Sequence, residues 1–206
     1  MPKRDDLVDL PAEVVVSPPQ VLAKAYLNYH RYRVTFSSQD RTGVSQERDV
    51  LVAGKVVLVI PIDLARGEIV MLRQFRLPAH IANGAGDLVE LVAGRVEKGE
   101  SLAETARREC QEEIGITPKK VVELFSYLSS PGLTDEEVTV FLADVDAAQA
   151  QEGARVTSEN EQLYIWRVAI DAAIEAFARH GARGGPLTIG LQWLALNRGR
   201  ITDLLR

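Results

Sequence analysis

Hydrophobic positions along this chain recur with two periods, and the switches between them mark out the expected elements. From Ala23 to Phe36 the residues AKAYLNYHRYRVTF are rich in tyrosine and β-branched types and alternate roughly by two, which predicts a strand. Glu47 to Ala53 reads as a second strand. Lys55 to Asp63 is apolar enough to predict a strand buried on both faces, with Glu68 to Phe75 as its hairpin partner after the Ala65-Arg66-Gly67 turn. A short strand is expected at Leu88 to Val92, and strands return at Val121 to Leu128, Glu137 to Val145 and Gln162 to Val168.

Between these segments the period changes. Leu102, Ala106, Cys110 and Ile114 recur at helical spacing, so Ser101 to Ile114 is expected to be a helix. Ser101 is a good N-cap with Glu104 placed to complete a capping box, Gly115 supplies a left-handed stop, and Pro118 forbids quick resumption. Further helices are expected at Asp171 to Arg179 and Thr188 to Asn197. The order predicts an α+β protein with a central mixed sheet flanked by helices. An antiparallel β segment over residues 1–50 is expected to precede a main domain over 51–206.

Composition narrows the classes. A chain of 206 residues, 46% hydrophobic, can bury a core of ordinary size. A net charge of -5 gives no global attraction for a nucleic-acid polymer. The single Cys110 cannot form an internal disulfide and fits a reducing cytoplasm. The N-terminal stretch carries acids and prolines where a signal peptide needs a continuous apolar run, and no apolar run approaches the roughly 20 residues of a membrane-spanning helix. A soluble protein without membrane partners is expected.

Within the central helix, Glu109, Glu112 and Glu113 lie three and four residues apart, which puts three carboxylates on one face. Like charges so placed repel by a few tenths of a kcal/mol per pair unless a cation sits among them. Hard carboxylate oxygens without nearby histidine or cysteine ligands select magnesium, manganese or calcium over zinc. A solvated acidic face is the ordinary alternative for three glutamates taken alone. Their surroundings weigh against it. Gly94 to Ile116 reads GRVEKGESLAETARRECQEEIGI, with Gly94, Glu100, Arg108, Glu109, Glu112, Glu113 and Gly115 at fixed positions and Cys110 and Ile116 in apolar slots.

That run resembles the Nudix box at every fixed position, and the resemblance implies a Nudix α/β/α sandwich that hydrolyses a diphosphate with magnesium, or manganese in its place. It implies Glu109 and Glu113 as metal ligands, Glu112 as a further ligand or supporting catalytic residue, the Ala93 carbonyl as a contributor, and Arg108 as the group that orients the carboxylates. Outside the box the chain is similar to the ADP-ribose pyrophosphatase branch. Arg73-Gln-Phe-Arg76 and Glu90-Leu-Val-Ala-Gly94 imply substrate contacts from Arg76 and Glu90, and Ser130-Pro-Gly-Leu-Thr-Asp-Glu136 implies others from Pro131, Gly132 and Glu136. Ser158-Glu-Asn-Glu161 stands where that branch carries a catalytic glutamate, which makes Glu159 or Glu161 the expected base.

The same branch implies a homodimer built by the early strands, with Tyr26, Tyr29 or Phe36 as the ring that stacks on the base. The expected substrate is a nucleotide sugar, ADP-ribose first, with GDP-mannose the alternative within the enzyme class. A nucleotide-sugar sensor without catalysis is the alternative from another class, and the intact set of glutamates weighs against it.

Overall fold

The strand-period segments pair into two sheets, one in each of two units of the chain. The structure, a computed structural model, describes residues 7–37, 43–156, 161–181 and 183–206. The first unit comprises the described residues up to Ala53 together with Ser130–Asp135. In it β1 (Val14–Val16) and β2 (Gln20–Ala23) line one edge of β3 (Asn28–Phe36), β1 opposite residues 34–36 and β2 opposite residues 29–31. Pro18 and Pro19 fall between β1 and β2, where a missing N–H costs no ladder bond. The strand β4 (Ser45–Val52) takes the other edge of β3, and the Arg31 guanidinium holds Asp49 across this pair at 2.6 and 2.8 Å.

The strand expected from Ala23 to Phe36 is therefore cut short: Ala23 ends β2, the chain folds back at residues 24–27, and β3 starts at Asn28. Neither glycine nor proline marks that reversal, so the period-two pattern runs through it. The segment Ser130–Asp135 is tied to β4: Leu51 N–H donates to the Leu133 carbonyl at 3.0 Å, and Ala53 N–H donates to Asp135 at 2.7 Å.

The second unit is built on an eight-stranded mixed sheet. At its centre β5 (Lys55–Asp63) runs parallel to β10 (Glu137–Asp144), which pairs antiparallel with β9 (Lys120–Leu128). On the other side of β5 come β6 (Glu68–Phe75), β12 (Gln162–Ala169) and the edge strand β11 (Gly153–Val156). Direct pairing of β5 with β6 covers only Ile62 and Asp63, after which the two diverge. The gap is filled by β7 (Asp87–Glu90) on β6 and β8 (Val92–Arg95) on β5, so the one strand expected at Leu88 to Val92 is two, broken at Leu91.

Alternation along β5 sorts its side chains into two core layers. Leu58, Ile60 and Ile62 pack with residues of α3 (Ile170–His180), α4 (Gly185–Asn197) and α5 (Ile201–Leu205), including Ile170, Leu191, Leu194 and Ile201. Val57 and Val59 face the opposite layer, with Ala106 of α2 (Leu102–Glu109) and with Cys110 and Ile114 just beyond it. Each fully buried aliphatic side chain contributes roughly 1.5–3 kcal/mol, which anchors α2 by its apolar stripe and leaves its acidic stripe for other work. The helix α1 (Leu77–Asn83) buries none of its residues, which is why the apolar pattern did not reveal it. Neither β1, β11 nor α5 was marked by the pattern, each being five residues or fewer. Among the described residues no helix is long and apolar enough to cross a membrane.

Candidate active site

The entry to α2 is fixed by local chemistry. Ser101 Oγ accepts the Glu104 N–H at 3.3 Å while Ser101 N–H donates to Glu104 Oε2 at 2.8 Å, which satisfies two otherwise orphaned donors. After Glu109 the chain does not continue as an α-helix: Cys110–Ile114 forms one turn of π-helix, closed by Gly115 at φ 76°, whose N–H donates to the Cys110 carbonyl. The expected uniform helix over Ser101 to Ile114 is thus corrected in its last turn. A turn closed from i to i+5 is wider, and it separates carboxylates that an α-helix would align. Glu109 and Glu113 point inward and are 8% and 5% exposed, whereas the Glu112 side chain, 41% exposed, sits on the rim.

Against this turn lies the β8 backbone. Ala93 N–H donates to Glu113 Oε2 at 3.1 Å, and a Cβ on Gly94 would fall 1.8 Å from Glu109 Oε1. A side chain at position 94 would therefore displace the Glu109 carboxylate from this arrangement. Arg108 ties the remaining acids together: its Nε donates to Glu100 at 3.0 Å, and its Nη1 to Glu109 at 2.8 Å and Glu112 at 2.9 Å, while Nη2 reaches the Arg95 carbonyl at 3.0 Å. This guanidinium, with help from the Thr105 hydroxyl, holds the Glu100 carboxyl down at about 2. Glu113 goes the other way: burial, then the Glu109 charge, push it well above the usual carboxylate range, and the Ala93 N–H offsets this only in part.

Arg76, at the end of β6, donates to Glu90 from Nε at 3.0 Å and Nη2 at 2.8 Å. Burial works against its charge, but Glu90, followed by Glu161 and Glu113, keeps the guanidinium firmly protonated. The structure thus brings Arg76, Glu90, Ala93, Arg108, Glu109, Glu112, Glu113 and Glu161 to one face of the second unit. Glu136, at the foot of β10, stands beside Tyr127, where burial and its charge raise the phenol to about 12. Pro131 and Gly132 lie exposed in a turn of the first unit. Tyr26 is exposed there, Tyr29 donates to Asp49 at 3.5 Å, and Phe36 ends β3 opposite Val14. Glu159 lies outside the described residues.

Do these residues suit a divalent cation? Glu109 and Glu113 supply hard oxygens on adjacent turns, and the raised affinity of Glu113 for a proton shows a carboxylate in need of positive charge. Among the described residues no three acidic, histidine or cysteine side chains form a ready-made cage. Two carboxylates with the other positions left to water and phosphate oxygens is the way magnesium binds beside phosphates, and the donor set fits it.

Gln74, a polar residue of this face, escaped the sequence reading. Gln74 is 5% exposed and its Oε1 is buried without a hydrogen-bond partner among the described residues. The available signal was its phase: it follows Val70 and Leu72 at a spacing of two, so it stands in a buried apolar row.

Comparison with known proteins follows the same lines. The NUDIX domain family matches residues 53–183. The chain is 33% identical to the ADP-ribose pyrophosphatase of Escherichia coli (strain K12) over 150 residues, 73% of this chain and 72% of that protein. It is 27% identical to the GDP-mannose pyrophosphatase of Yersinia pestis (strain Pestoides F) over 179 residues, 86% of this chain and 89% of the relative. In fold it is similar to the crystal structure of an ADP compounds hydrolase, with a TM-score of 0.68 and 17% identity over 94% of this chain and 100% of the other.

Proposed function

The chain belongs to the NUDIX domain family, and on that premise we propose that it hydrolyses the pyrophosphate bond of nucleoside diphosphate sugars, ADP-ribose foremost. The observation that carries this reading is the pair of buried carboxylates, Glu109 and Glu113, set against the Gly94 backbone and faced by Arg76. Bound at Glu109 and Glu113, magnesium, or manganese in its place, would neutralise charge that grows on the phosphate oxygens as the bond breaks. The protein does the rest. Arg108 clamps Glu100, Glu109 and Glu112, so the acids need not reorganise during reaction. Arg76 orients a phosphate, with Glu90 holding its guanidinium in place. Glu161 or Glu159 takes the proton from water as its oxygen bonds to one phosphorus. The bridging P–O bond breaks, and AMP and ribose 5-phosphate leave.

Relatives named for ADP-ribose are more similar by identity, and the GDP-mannose relative keeps that sugar nucleotide as the second reading. We place the enzyme in the cytoplasm, where the buried thiol of Cys110 stays reduced. Of the described residues 7–53, Ala53 alone is buried, which supports a first unit that pairs with a second copy in a homodimer. The test is incubation with ADP-ribose and with GDP-mannose, each with magnesium and with chelator, followed by chromatography. Magnesium-dependent AMP release faster than GMP release is the expected result; faster GMP release would move the substrate, and cleavage of neither would overturn the reading.

A further inference from the structure

The active face carries more negative charge than its arginines balance. Glu90, Glu109, Glu112 and Glu113 share it with Arg76, which is committed to Glu90, and Arg108, which is committed to Glu100, Glu109 and Glu112. A diphosphate adds further negative charge. The strand β11 carries a third arginine. Arg155 stands opposite Leu163 in the antiparallel pair of β11 and β12, and Leu163 stands opposite Gln74 in the pair of β12 and β6. Residues opposite one another share a face, and Leu163 belongs to the core layer that includes Ala106, Cys110 and Ile114 beneath the catalytic turn. Arg155, Leu163 and Gln74 therefore form one row on the active face. Glu161, two residues before Leu163, is the diagonal neighbour of Arg155.

Two members of this row are unsatisfied. Arg155 Nη1 and Gln74 Oε1 are both buried without a hydrogen-bond partner among the described residues. A buried donor or acceptor left unpaired is costly, and one such atom in a row of three would pass as an accident of packing. Here a donor and an acceptor flank the same leucine, beside Glu161, one of the two glutamates expected to move the proton. β11 is the edge strand and Arg155 is only partly buried, so the row is open from the side.

We propose that Arg155 is a substrate-binding residue that holds a phosphate oxygen of the diphosphate, with Gln74 accepting a hydroxyl of the adjoining sugar. This rests on the nucleotide-sugar reading above but not on which base or sugar is preferred. The pairing restores what the free protein lacks: the guanidinium gains an anion, and the amide oxygen gains a donor.

The test is calorimetric titration of the full chain with ADP-ribose in the presence of chelator, so that binding is read without turnover, for wild type, Arg155→Met, Arg155→Lys and Gln74→Leu. A hydrogen bond to a charged group corresponds to about 10- to 100-fold in affinity, so Arg155→Met should bind about that much more weakly, with Arg155→Lys in between. Gln74→Leu should lose about tenfold while the free protein melts at the same or a higher temperature, because an unpaired buried amide has been removed. Unchanged affinity in Arg155→Met overturns the proposal, and so does a melting temperature of the free Arg155→Met protein several degrees lower, since that would show the guanidinium to be paired within the chain. A wild-type protein that binds neither ADP-ribose nor GDP-mannose would instead remove the functional reading on which this one rests.

Discussion

Residue by residue, the site is organised by opposite demands on similar side chains. Glu100 is held ionised by Arg108, whereas Glu113 resists ionisation because it is buried beside Glu109. Loss of charge at Glu113 should therefore cost activity and spare the fold. Glu113→Gln is expected to lower turnover by about 10²–10³, while its melting temperature without metal stays at or above that of wild type. Steady-state assay and calorimetry of the same preparation check both halves, and a variant that is active or unfolded would remove Glu113 from its proposed role. These residues were singled out by the motif around them rather than by their own spacing, and their division of labour was not legible at all. Periodicity puts Glu109, Glu112 and Glu113 on one face, and nothing in a string of letters tells an α-turn from a π-turn. Gln74 and Arg155 were passed over because their significance lies in which strands flank them.

At the level of elements, the sequence was most informative where short-range chemistry decides the outcome. The capping box at Ser101 and Glu104 forms as its residues require, and the ends of β5 and β6 fall where the apolar runs end. It was least informative where pairing is decided by distant partners. Leu91 gives no local sign that Val89 will pair with β6 and Val92 with β5, and the reversal at residues 24–27 carries no turn residue. The cap also gives a prediction belonging to the helix rather than to the chemistry. Ser101→Ala should cost about 1 kcal/mol, seen as a fall in melting temperature of roughly 2–4 °C. Turnover per folded molecule should change little, because the site is clamped by Arg108 and by β8 rather than by the first turn. A large fall in turnover at unchanged stability would show that the first turn reaches the site after all.

For the molecule as a whole, two conditions should govern stability. The first is pH. Asp63 is 2% exposed; burial pushes its carboxyl up, but Arg66 N–H, Ala147 N–H and the Arg66 guanidinium more than reverse this and leave it below the usual range. A folded-state value below the unfolded one stabilises fully above about pH 4 and is lost as pH falls further. Asp63→Asn should melt several degrees below wild type at pH 7, and the two melting temperatures should converge as pH falls below about 4; a constant gap would sink this account. The second is metal. Because Glu109 and Glu113 are brought together only by folding, magnesium at 100 times its dissociation constant should stabilise by about 2.7 kcal/mol, read as a rise in melting temperature that Glu113→Gln abolishes.

The π-turn at Cys110–Ile114 has a consequence for how this stretch tolerates change. The placing of its carboxylates depends on the count of residues between Arg108 and Gly115 as much as on their kinds, with Glu113 turned inward and Glu112 left on the rim of the wide turn. Gln111 is exposed, so exchanging its side chain should be nearly silent. Deleting it would tighten the turn, rotate every later residue and misaim Glu113 while leaving all the glutamates present. For this stretch a shift in reading of a single position is a more severe event than almost any substitution, and a search for active variants should hold its length fixed before it holds its letters.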